Sequence, residues 1–185
     1  GVLAANYEIT KVEGTLTVTV ITTKIVITAA SGSKKYDGTP LTNAGYTYTQ
    51  NVLATGDTLT AVVAGTITNV GTADNVVTSY KVMRGSTDVT ANYTFGASVN
   101  GTLTITKRVV ILTSATDSKV YDGTALTNNT VTVTGDGFVG SEGATYNVTG
   151  SQTDVGTSDN TFSYMLNIGV LAANYEITKV EGTLT

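Results

Sequence analysis

The sequence predicts an all-β chain of two tandem, homologous modules, and three observations carry that reading. Apolar and polar residues alternate in short runs from Lys24 to Thr185, the period-two pattern of half-buried strands. Asx-Gly pairs and Gly-rich stretches punctuate the runs, supplying the positive-φ positions that tight connections require. A set of landmarks recurs at an offset of 85 residues, from Ser33 to Ser118. No segment sustains the 3.6-residue apolar period between caps, so no helix longer than about a turn or two is expected. Each module is expected to be a small β-sandwich or an open β-grasp-like sheet of about six strands. The sandwich is favoured because the helix that a β-grasp needs is not visible, and the two modules in line would form an elongated rod.

Residues 1–23 read as the closing strand of a preceding repeat plus a junction, 24–106 as the first module and 107–185 as the second. The segment Gly1 to Thr17 recurs without change as Gly169 to Thr185, an offset of 168 residues. Exact recurrence marks a chain that grows by adding near-identical units. A strand is expected over Gly14–Val20, lying along the first module or pairing with another chain. An unpaired strand is a template for strand addition, so exchange through residues 1–17 is an expected mode of partnership.

In the first module the expected strands are Lys24–Thr28, Gly45–Thr49, Thr58–Ala64, Asn75–Lys81, Tyr93–Gly96 and Gly101–Thr106. In the second they are Arg108–Thr113, Thr130–Thr134, Ala144–Thr149, Asn160–Asn167, Tyr175–Lys179 and Gly182–Thr185. Turns are expected at Asp37-Gly38, Asp122-Gly123, Asn100-Gly101 and within Gly135–Gly143. The repeat offset shrinks across Lys81–Ala91 and Asn167–Ala173, which are therefore read as loops. Thr104–Val109 has no Gly, Pro or flexible polar run, so one strand leads almost directly into the next module and the junction is expected to be stiff. Thr17–Lys24 reads the same way.

Composition narrows the function classes. Charged residues are 13% of the chain, and a net charge of −4 with ten basic residues leaves no stripe able to neutralise phosphates. No nucleic-acid partner is expected. There is no cysteine, so disulfides and thiolate metal sites are excluded. There is no histidine either, which excludes a Ser-His-Asp arrangement. No pair of carboxylates stands out at glycosidase spacing. An enzyme, a cofactor and a metal are not expected, nor is a membrane span, because no apolar run approaches about 18 residues.

The most specific motif is Lys34-Lys35-Tyr36-Asp37-Gly38-Thr39, repeated as Lys119-Val120-Tyr121-Asp122-Gly123-Thr124. Further on, Asn69-Val70-Gly71-Thr72 with Asn75 matches Asp154-Val155-Gly156-Thr157 with Asn160. Asn92-Tyr93 matches Asn174-Tyr175, and Gly101–Thr104 matches Gly182–Thr185. The structural reading makes Asp-Gly a turn and buries both Tyr36 and Tyr121 with the Lys stem along the ring. Asn92-Tyr93 and Asn174-Tyr175 would bring a Tyr into the core at the start of the last strand pair.

This landmark set resembles the YDG/MBG-type tandem repeats of bacterial cell-surface adhesins, over both modules. The resemblance implies an extracellular, wall-anchored or secreted repeat protein of stalk or adhesive function, whose partners are neighbouring repeats of the same chain. It implies no ligand. The alternative is that the modules themselves bind a host glycan, mucin or protein through Tyr121, Asp122 and Phe138, the last on a loop that differs in the first module.

Two weaker readings complete the set. Asp136, Glu142, Asp154 and Asp159 could offer oxygens to calcium, although their spacing matches no EF-hand. Lys34 or Lys119, if buried beside an Asn and an acid, could form an intramolecular isopeptide.

Overall fold

The computed structural model describes residues 6–185 and is all-β, with no α-helix among them and single 3-10 turns at Thr90–Asn92 and Ala172–Asn174. The first sequence repeat supplies β1 (Ile21–Ile25), β2 (Ile27–Ala29), β3 (Gly32–Lys35), β4 (Tyr46–Tyr48) and β5 (Asp57–Ala64), then β6 (Gly71–Arg84), β7 (Thr87–Asp88), β8 (Tyr93–Phe95) and β9 (Gly101–Thr106). The second supplies β10 (Arg108–Ser114), β11 (Val131–Gly135), β12 (Ala144–Val148), β13 (Ser158–Asn160), β14 (Phe162–Leu166), β15 (Tyr175–Val180) and β16 (Gly182–Leu184).

These strands form several small sheets. β9 lies between β3, to which it is parallel, and β6, to which it is antiparallel, and β5 flanks β6. β10 runs parallel to β15 and antiparallel to β11. In the first repeat the same task is shared by β1, parallel to β8, and β2, antiparallel to β4. Period-two burial gives the reason: Ile25, Ile27 and Ala29 point inward from β1 and β2, as Val110, Leu112 and Ser114 do from β10. β12 pairs with β14 as β5 does with β6, and β13 pairs with β16.

One buried amide ties each repeat together. Asn75 Nδ2 donates to the carbonyls of Ala30 (2.8 Å) and Asn43 (2.7 Å), and Asn160 Nδ2 donates to those of Ala115 (2.9 Å) and Asn128 (2.8 Å). Each stitches two connecting segments to a strand and satisfies partly buried backbone acceptors. The Oδ1 of each has no hydrogen-bond partner and abuts Gly65 or Gly150, where a Cβ would stand 2.8 or 2.4 Å away.

Apolar packing gathers in two clusters. Ile25, Ile27, Leu59, Val82 and Tyr93 form one, wholly within the first repeat. The other joins Val110, Leu112, Phe162 and Tyr175 to Tyr36 and Ile105, so residues of both repeats share it.

Most expected strands are present, with several corrections. Gly14–Val20 is not a strand: residues 8–20 carry no pairing and are exposed, because no sheet edge receives them. Strand exchange was expected through residues 1–17, of which 1–5 lie outside the described residues. The expected strand Lys24–Thr28 is broken at Val26, and Asn160–Asn167 at Thr161. β3 and β7 were not expected. The loop foreseen at Lys81–Ala91 is instead the end of β6 and a short return through β7, turning at Gly85 with φ 59°. Gly101 is not a turn glycine but the first residue of β9, where a Cβ would stand 2.3 Å from the Ala30 carbonyl oxygen. Gly182 repeats this against Ala115 at 2.4 Å.

Candidate functional site

The repeated Lys-x-Tyr-Asp-Gly-Thr motif closes the same turn in both places. Lys34 Nζ reaches Asp37 Oδ1 at 2.7 Å and Thr39 Oγ1 at 2.6 Å, while the Thr39 amide donates to the same carboxylate at 2.9 Å. Lys119, Asp122 and Thr124 repeat this at 2.7, 2.7 and 2.9 Å. Gly38 and Gly123 take φ of 78° and 76°, open to glycine at no steric cost. The lysine bond first, then the Thr39 bonds, hold the Asp37 carboxyl well below the usual carboxylate range, and Asp122 is held down in the same way. Both Lys Nζ atoms are thus bonded to Asp and Thr oxygens rather than to an Asn side chain.

The tyrosines of the two turns have different fates. Tyr36 is 5% exposed, whereas Tyr121 is 61% exposed, so the expectation that both are buried is corrected for Tyr121. The cover on Tyr36 comes from the second repeat. Its hydroxyl donates to Glu142 Oε1 at 2.8 Å, and its ring meets Tyr175 edge-on at 5.6 Å. Among the described residues none covers Tyr121 in that way.

Further contacts extend this interface. Lys35 pairs with Asp136 at 2.7 Å, and the Val70 amide donates to Asn174 Oδ1 at 2.9 Å. Asn174 Nδ2 donates to Asn69 Oδ1 at 3.1 Å, leaving Asn174 1% exposed. Leu41, Ile67 and Val70 pack with Phe138 and Val139 around Tyr36 and Tyr175. The connection from β9 to β10 is the single residue Lys107. Beside it Arg108 donates from Nε to the Gly137 carbonyl at 2.8 Å and from Nη2 to that of Asp136 at 2.5 Å.

A tyrosine–carboxylate pair recurs in each repeat. Tyr175 donates its hydroxyl to Glu142 and accepts from the Val139 amide at 3.1 Å. Tyr93 donates to Asp57 at 2.5 Å and accepts from the Ala54 amide at 2.9 Å. Burial, then the neighbouring carboxylate, raises both phenols, Tyr175 to about 12. In the first repeat Arg84, from the extended end of β6, occupies the rest of the carboxylate through Nε at 2.6 Å and Nη2 at 3.0 Å.

The residues of the binding alternative are not brought together. Phe138 packs edge-on to Tyr175 at 5.1 Å inside the interface, and Asp122 is held in its turn. Tyr121 instead lines a hollow of about 190 Å³ with Lys119, Leu126, Gln152 and Val155. Asp136 and Glu142, among the acids considered for calcium, are engaged by Lys35 and by tyrosine hydroxyls. Among the described residues no three His, Cys, Asp or Glu side chains stand together as a metal site, and no helix is long and apolar enough to cross a membrane. Sequence reasoning missed Glu142 and Asp57 as tyrosine partners, although both are acids at the 85-residue offset.

Comparison with protein-family models, curated proteins and solved structures finds no match to this chain.

Proposed function

We propose that this chain is a repeat segment of a bacterial cell-surface adhesin, a non-catalytic extracellular stalk that projects a distal binding domain. On this reading each repeat is a small β module, and the two stand in line. The observation that carries it is the interface of Tyr36, Lys35 and Val70 with Glu142, Asp136 and Asn174. It joins apolar packing, an ion pair and buried amide bonds across a one-residue connection. A connection this short, with its flanks hydrogen-bonded to both sides, restricts swivelling, and nearest-neighbour contacts of this kind make a repeat array stiff. Stiffness over length is what a stalk requires.

The placing of the protein on a cell surface rests on its motifs, which resemble those of adhesin repeats. The host-glycan alternative is weakened by the separation of Phe138 from Tyr121. Small-angle scattering tests the stalk reading. Modules on the order of 30–40 Å long, from strands of about 3.3 Å rise per residue, should give one narrow, elongated distance distribution that Tyr36→Ala broadens. A distribution already broad in the unaltered chain, or that of a pair folded back on itself, would remove the basis of the proposal.

A further inference from the structure

The residues of both halves of the internal interface have counterparts elsewhere in the chain. The donor half in the first repeat is Tyr36, Lys35, Asn69 and Val70. Its counterparts at the 85-residue offset are Tyr121, Val120, Asp154 and Val155, and Val120 and Val155 are each 90% exposed. The receiving half in the second repeat is Phe138, Glu142, Asn174 and Tyr175. Its counterparts are Leu53, Asp57, Asn92 and Tyr93, where Asn92 is exposed while Asn174 is buried. The donor surface is thus repeated uncovered, while on the receiving side Asn92 and Arg84 are exposed and Asp57 and Tyr93 are closed over within the first repeat.

We propose that the Tyr121–Val155 surface of the second repeat docks on the Leu53–Asn92 surface of the first repeat in a second copy of this chain, head to tail. The inference rests on the reading of the repeats as modules in line. The occupant is written into the sequence. The residues ahead of the first repeat, Gly1 to Thr17, are identical to the end of the second repeat, so the neighbour on that side of a first repeat is a unit of the second type. Residues 8–20 are unpaired and exposed, which leaves them able to lie aside when a separate copy docks.

The substitutions between the two interfaces agree with this pairing. Lys35 and Asp136 form an ion pair; their counterparts Val120 and Asn51 have both lost charge, so neither is buried against an unpaired ion. Val155 would offer its amide to Asn92 as Val70 does to Asn174, and Asp154 would accept from the Asn92 amide group. Arg84 takes the place on Asp57 that Tyr36 takes on Glu142. Its Nη1 remains to donate to the Tyr121 hydroxyl. A contact between unlike surfaces does not close on itself, and repetition gives an open filament.

Sedimentation velocity of the full chain over rising concentration tests this. The expected result is association that grows by addition of single copies without a dimer plateau, and is reduced at least tenfold in affinity by Val155→Asp or Tyr121→Ser, both at exposed positions. Restoring the ion pair with the double variant Asn51→Asp and Val120→Lys should strengthen association, and each single change should weaken it. Association unaffected by Val155→Asp and by the charge pair would overturn the proposal, as would a closed dimer. So would absence of association in the double variant up to millimolar chain, the effective concentration a short linker provides. Binding of Tyr121-dependent mucin or glycan by a chain that does not self-associate would assign the surface to a host ligand instead. A rigid two-module particle in scattering with no association defeats this inference alone; a swivelling junction defeats the stalk reading beneath it.

Discussion

Tyr36 and Tyr121 occupy the same place in the same turn, with the same Lys, Asp, Gly and Thr around them, yet one is covered and the other exposed. The turn is therefore made within each repeat, whereas burial of its tyrosine is conferred by the next unit. Inside the repeats the comparison runs the other way. Asn75 and Asn160, Gly101 and Gly182, and Tyr93 and Tyr175 make equivalent contacts in both. These contacts are alike although the sheets around them differ, β10 doing alone what β1 and β2 share.

The largest effect should break this symmetry outright. Tyr36→Ala is expected to destabilise by about 3–5 kcal/mol, as aromatic truncations in cores do, while Tyr121→Ala changes stability by less than about 0.5 kcal/mol. Denaturant titration at a concentration where the chain is monomeric measures both; equal losses would mean that Tyr121 is covered within its own repeat.

Next come the close-approach glycines. Gly101→Ala and Gly182→Ala each force a methyl onto a carbonyl oxygen and should cost about 3 kcal/mol. Thermal melts that lower the stability of one repeat only would show that the two threading points differ.

A smaller effect is set by pH. The Tyr175 phenol is raised from 10 to about 12 by burial and by Glu142. Its contribution is fully present below the unfolded value near 10 and is lost as pH rises through the folded value near 12. Stability should therefore fall between about pH 10 and 12, and Tyr175→Phe should flatten that fall. Tyr93→Phe should act likewise in the first repeat, where the shift has the same direction. A Tyr175→Phe curve parallel to that of the unaltered chain would contradict the assignment.

The smallest effect belongs to the Lys35–Asp136 pair, partly exposed on both sides. A double-mutant cycle should give a coupling of at most about 1 kcal/mol, reduced by salt. A larger, salt-insensitive coupling would make this pair part of the interface core.

Much of this arrangement was legible in the sequence, because period-two alternation and the 85-residue offset are local signals. β9 starts and ends where Gly101–Thr106 indicated, and β12 and β15 fall within a residue of expectation. β3 escaped because Gly32-Ser33-Lys34-Lys35 has no apolar alternation; it is a strand only through its parallel pairing with β9. Burial of Tyr36 against Glu142 spans 106 residues, and no local pattern encodes it. Residues 6–17 give the sharpest case. They carry the same sequence as 174–185, which forms β15 and β16, yet residues 8–17 are unpaired and exposed. Strand propensity there is realised only where a sheet receives the segment.

β9 is made last in its repeat yet sits inside its sheet, with β3 on one side and β6 on the other. During vectorial synthesis the sheet has a vacant middle until the final residues of the repeat have emerged. The next strand, β10, follows after Lys107 alone, so it emerges beside a sheet whose last strand has just been made. The sheet of β3, β6 and β9 can thus close before the second repeat is complete, while Tyr36 and Ile105 await the residues that cover them. Such timing limits the interval in which a nascent strand could join the wrong copy, the characteristic failure of repetitive chains.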